Sequence, residues 1–213
     1  MTKARKSPSR VSAAAPQAAG GTASAARSTC TPETWTDAAT EVLLNQGIDH
    51  VRVDLLAQEL GMTRGSFYWH FKGRDELLRS VLQAWRVRAT EALSARLELA
   101  HTDPQEQLRD LISLPWRGRS ARRAARIELA IRAWARRDEM AAQAVREADE
   151  SRIGYIAQVF SALGFPIMDA RRRAYVLYSA MLGDALMGEM PEYASRAQRQ
   201  ERMGLIERLL TSA

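Results

Sequence analysis

The chain has 213 residues, of which 46% are hydrophobic and 26% charged, a net charge of +6 and a single cysteine. Rich in alanine, leucine and arginine and poor in alternating β-branched runs, it reads as an all-α protein large enough for one or two cores. Cys30 stands alone, which excludes an intrachain disulfide and a cysteine-built zinc site. The longest apolar run, Ala174 to Met190, is broken by Asp184 and Glu189 and is too short to span a membrane.

Charge is unevenly placed. Residues 1–32 carry five basic and no acidic side chains, residues 33–82 five basic and eight acidic for a net −3, and residues 83–213 twenty-one basic and seventeen acidic for a net +4. The overall basicity therefore does not locate a nucleic-acid surface. Residues 1–30 read as a flexible basic tail, since Lys3, Arg5, Lys6 and Arg10 are followed by alanine, serine, proline and glycine with almost no large apolar side chain. A secretory signal needs an apolar stretch there, so a cytoplasmic protein is expected.

Order is expected from Thr31, a helix cap before Pro32, with Trp35, Ala38, Ala39, Val42 and Leu43 as an apolar stripe and Gly47 as a stop. Val53, Leu56, Ala57 and Leu60 mark a second helix of about two turns, ended by Gly61. Thr63 caps a third, and a break at Lys72-Gly73 precedes a long fourth helix running to about His101. Further helices are expected at 104–114, 119–136, 139–163, 168–188 and 195–210, separated by Gly- and Pro-containing breaks or by Arg137-Asp138.

The third helix crowds four aromatic rings into Phe67–Phe71. At roughly 100° per residue, Phe67 and Phe71 share the inward face and Trp69 lies opposite, with Tyr68 and His70 on the flanks. A solvent-facing tryptophan near Gly65 suits a recognition helix entering a DNA major groove. Gly65 leaves room for the DNA backbone. Tyr68, His70, Lys72 and the amides at the helix start can bond phosphates, while Arg64, Ser66 and Trp69 can reach base edges. The alternative is that Tyr68 and His70 plug gaps in the core and that Trp69 makes a protein contact.

Residues from Trp35 to Leu82 resemble the N-terminal domain of the tetracycline-repressor (TetR) family of bacterial regulators. The segments "WTDAATEVLLNQG" and "LLAQELGMTRGSFYWHFKGRDELL" carry the likeness, including the aromatic-His-Phe signature at Tyr68, His70 and Phe71. The resemblance implies a homodimer on a palindromic double-stranded operator, released when a small molecule enters the C-terminal domain. It adds Thr63 to the phosphate contacts, puts Arg52 where many members carry a threonine, and puts Arg74 where a lysine is frequent. Asp54 would repel phosphate if it faced DNA. The expected organisation is a tail at 1–30, a three-helix helix-turn-helix DNA-binding domain at 31–80, and a helical ligand-binding and dimerisation domain at 81–213, with about nine helices in all.

In the C-terminal part, Trp116, Trp134, Tyr155, Phe160, Tyr178 and Met181 are candidate pocket walls, with Glu128 as the acid of the pocket or the i,i+4 partner of Arg132. The helix from Ala174 is apolar nearly all round, so one side calls for a second covering, most simply a twofold partner. Leu177, Met181 and Asp184 there, with Met203, Ile206 and Leu210 of the last helix, are the expected interface. The arginine-rich run 117–126 reads as a solvated face.

Catalytic chemistry finds no support. Glu98 and His101 have a Glu-x-x-His spacing but no second copy, and no phosphate loop, metalloprotease pair or nucleophile elbow occurs. No catalytic residue, metal site or cofactor is expected. A sequence-specific, ligand-released repressor is the leading reading, a helical protein-interaction module without specific DNA binding the alternative, and an all-α enzyme a distant third.

Overall fold

The computed structural model describes residues 31–114, 118–187 and 195–212, and these are helical with no strand among them. The expected tail and Trp116 lie outside the described residues.

Helix α1 (Pro32–Gln46) begins with a reciprocal cap. Thr31 Oγ1 accepts from the Thr34 amide and Thr34 Oγ1 from the Thr31 amide, each at 3.4 Å. It ends at Gly47 and passes through one 3₁₀ turn (Ile48–His50) into α2 (Val53–Glu59). The chain then reverses at Gly61, whose φ of 63° falls in the left-handed region that a side chain disfavours, and enters α3 (Arg64–Tyr68). Helix α4 (Arg74–Arg86) continues through a π turn (Val87–Glu91) into α5 (Ala92–Ala100) as one continuous helix. The rest are α6 (Pro104–Ser113), α7 (Gly118–Ala135), α8 (Glu139–Ala162), α9 (Ile167–Met187) and α10 (Arg196–Thr211). Each lies within two residues of its expected bounds except α3, which is a single short turn.

Two apolar clusters organise the chain. The first gathers Trp35, Leu56, Phe67, Phe71, Leu78 and Trp85 of the N-terminal helices but also Ile131, Trp134 and Ala148 of α7 and α8. The helix-turn-helix region is thus packed directly on the C-terminal helices, and the core runs across the expected division at residue 80. Exposed ion pairs follow the same seam, Asp37 with Arg88 at 3.1 Å, Asp49 with Arg137 at 2.6 Å, and Glu41 with Arg123. The second cluster holds Leu97, Leu108, Phe160, Leu177 and Leu210, joining α5, α6, α8, α9 and α10.

Trp134 and Phe160, expected as pocket walls, are buried in the first and second cluster respectively. Of the expected partner-facing set, Leu177 and Leu210 are buried within this chain, and Met203 and Ile206 pack partly buried on the second cluster. Asp184 bonds Arg202 of α10 at 3.0 Å, within the chain. The apolar side chains left outside lie on the other faces: Met168, Tyr175 and Leu186 at spacings of seven and eleven on α9, and Leu205 and Leu209 one turn apart on α10.

Candidate functional site

Phe67 anchors α3. Its ring is fully buried, meets Trp35 edge-on at 5.2 Å between centroids and stacks on Phe71 at 5.4 Å. With that side inward, the opposite side is forced outward, leaving Trp69 87% and Tyr68 59% exposed. Thr63 caps the helix by accepting from the Ser66 amide at 3.2 Å. Thr63, Gly65, Ser66, Trp69 and His70 together line an open concavity on this face. A Cβ added at Gly65 would meet only Thr63 Oγ1, at an ordinary 3.6 Å. The fold therefore does not require glycine there, and the space it leaves belongs to whatever lies on the outer face.

The other expected contacts divide. Arg64 and Lys72 are exposed beside the concavity. Arg52 is exposed at the start of α2 and pairs with Asp54 at 3.0 Å. Partial desolvation raises the Asp54 carboxyl pKa, but its own backbone hydrogen bond and Arg52 outweigh that and hold it below the usual range. The acid feared as a phosphate repellent is thus matched by a cation. Arg74 turns back into the domain: its Nε donates to the Val51 carbonyl at 2.7 Å and its Nη2 to that of Ile48 at 2.9 Å. It clamps the turn between α1 and α2.

Residues 36–81 match the family model described as bacterial regulatory proteins, tetR family. That segment, about a fifth of the chain, carries the family's N-terminal domain. It is 48% identical over 46 residues to the transcriptional regulator SrpR of Pseudomonas putida, covering 22% of each chain. It is 30% identical over 81 residues to AcrR of Shigella flexneri, covering 36% of this chain and 35% of that one. It thus spans about a fifth to a third of the length of these curated relatives. Beyond the N-terminal domain the likeness is one of fold. A transcriptional regulator from Rhodococcus superposes with a TM-score of 0.70 at 21% identity, covering 84% of this chain and 95% of that one. A regulator from Saccharomonospora viridis solved in complex with choline gives 0.68 at 18%, covering 81% and 93%.

The C-terminal helices and the π turn line a partly open cavity of about 360 Å³. Aliphatic side chains such as Leu97, Leu111, Ile156 and Met181 form most of its wall, with Arg88, Glu128, Arg152 and Tyr178 as polar members. Of the expected walls, Glu128, Tyr155, Tyr178 and Met181 line it.

Behind the cavity lies a charged network. Glu128, 8% exposed, accepts from Arg132 Nε at 2.8 Å, Trp85 Nε1 at 3.1 Å and Arg152 Nη1 at 3.1 and 3.0 Å. Tyr178 donates to Asp149 at 2.7 Å and accepts from Arg132 and Arg152, each at 2.9 Å. Burial pushes the Tyr178 phenol pKa up against the pull of Arg152, so the hydroxyl stays protonated and keeps donating. Burial would lower Arg152, but Glu128 outweighs it and the guanidinium pKa is raised. Two arginines and two acids thus compensate each other where a lone charge would be costly. Arg152 also reaches Thr90 of the π turn, donating from Nε at 3.0 Å, and its guanidinium sits 5.2 Å from the Trp85 ring centroid. Sequence reasoning passed over Arg152, yet the signal was there. It falls one turn from Ala148 and from Ile156, a charge on the buried stripe of α8.

Proposed function

We propose that the protein is a transcriptional regulator that binds a palindromic operator as a homodimer and is released when a small molecule fills the C-terminal cavity. The observation that carries DNA reading is the exposed Trp69 next to a glycine the fold does not need. Base-side contacts fall to Arg64, Ser66 and Trp69, and phosphate contacts to Thr63, Tyr68, His70 and Lys72, with Arg52 at the edge. Such a role places the protein in the cytoplasm with the chromosome, and among the described residues no helix is long and apolar enough to cross a membrane.

The dimer reading rests on the outer stripe of α9 and on Leu205 and Leu209 of α10, apolar faces that a second copy would cover and that would make a four-helix interface. Two recognition helices related by that axis must sit about 34–36 Å apart to enter successive major grooves.

Arg152 gives the cavity a route to the DNA-reading end. It faces the ligand space and holds both Trp85 of α4 and Thr90 of the π turn. A ligand that favours one arrangement of these contacts over another changes operator affinity by the coupling free energy.

The direct experiment is binding of the purified full-length protein to its own upstream intergenic DNA against a scrambled fragment of equal length, at near-physiological salt. Preference for the native fragment is expected. Equal binding to both fragments refutes an operator in that region and favours the protein-interaction alternative for the aromatic face.

A further inference from the structure

The cavity's hydrogen-bonding inventory defines what it can accept. Resting on the reading of this cavity as the effector site, we infer that its ligand is a small organic acid, an apolar body carrying one carboxylate that binds Arg152. Each Glu128 oxygen already accepts two hydrogen bonds, so the acid has no lone pair left for a cationic or donor ligand. The Tyr178 hydroxyl gives its one proton to Asp149 and accepts two bonds, so it is full as well.

Arg152 differs. Its Nε is used by Thr90 and its Nη1 by Glu128 and Tyr178, but among the described residues Nη2 makes no hydrogen bond. Two N–H donors on a guanidinium that lines the cavity are therefore unused within the chain, and Nη2 is not sealed from solvent, so a ligand in the cavity can reach it. A carboxylate satisfies them by a charge-assisted bond.

Charge points the same way. Arg88 and Arg152 stand against Glu128 among the lining side chains, an excess of one positive charge, although Arg88 also reaches Asp37 at 3.1 Å. The aliphatic remainder of the wall asks for an apolar body.

Calorimetric titration of the full-length protein with octanoate, 1-octanol and octylamine separates these features, since the three share a chain and differ in the headgroup. Octanoate is expected to bind at least about tenfold more tightly than octanol, with octylamine weakest. Octanol or octylamine binding as tightly as octanoate overturns the acid assignment while leaving the cavity as a ligand site. Failure of all three to bind removes the effector-cavity reading and this inference with it.

Replacing Arg152→Met together with Glu128→Gln deletes the pair without stranding a charge. The octanoate preference should vanish while octanol still binds, and a preference that survives refutes Arg152 as its source. Should that variant fold poorly, the ranking in the unaltered protein remains decisive, and Arg152→Lys offers a milder test in which octanoate alone weakens. Ala125→Trp, which fills the cavity, should abolish binding of all three; unchanged binding places the site elsewhere and overturns the inference.

Discussion

Trp69→Ala tests the proposed DNA reading apart from folding. The ring is 87% exposed, whereas the packing of α3 rests on Phe67 against Trp35 and Phe71. Little apolar area leaves water at Trp69, so folding stability should change by no more than about 0.5 kcal/mol, as for other surface positions. A lost base-side contact costs about 1–3 kcal/mol, or roughly five- to 150-fold in affinity, and the proposed dimer would lose it in both half-sites. Fluorescence anisotropy with operator and scrambled duplexes should show specific affinity falling while binding to scrambled DNA, and its salt dependence, stay level. The control is Phe67→Ala, which should destabilise the fold by about 3–5 kcal/mol. Unchanged operator affinity for Trp69→Ala would remove this ring from DNA reading, and an unfolded Trp69→Ala protein would refute the outward placement of the ring.

Three other perturbations test separate parts of the structure. Arg74→Met strands the Val51 carbonyl and leaves that of Ile48 with the Val51 amide alone, and should lower stability in urea by about 1–3 kcal/mol, with Arg74→Lys recovering part of it; full stability with weakened DNA binding would instead make Arg74 a phosphate contact. Leu205→Glu with Leu209→Glu should convert a dimer to a monomer in analytical ultracentrifugation without loss of helicity, and a persistent dimer would put the interface elsewhere. His101, bonded to Asp110 at 2.9 Å and Glu106 at 3.2 Å, has its pKa raised, chiefly by the Asp110 hydrogen bond. Its contribution to stability should be complete below about pH 6.5, the unfolded value, and lost as pH rises through the higher folded pKa. Urea midpoints of the wild type and His101→Gln should therefore converge as pH rises through that window, and parallel curves would show that the clip contributes nothing.

Local chemistry determined the helices and one outward face. Thr31, Thr63 and Ser195 cap because their oxygens reach the amides of the first turn, Gly47 and Gly61 end segments, and spacing of three and four residues marks each buried stripe. The outward Trp69 was readable for the same reason, because Phe67 and Phe71 share one face of a short segment and leave the other no choice.

The tertiary structure decided the rest. A helix that is apolar all round has no periodicity to say which side meets its own chain, so Leu177 turned inward and Tyr175 outward only when α8 and α10 packed against α9. Long charged side chains carry the same ambiguity, since they can end in water or reach distant partners. Arg74 reaches carbonyls 23 and 26 residues away in sequence, and Arg152 binds Glu128, Thr90 and Tyr178 across four elements. Residue spacing encodes only neighbours within a helix, whereas burial of a charge depends on which other helices arrive to compensate it.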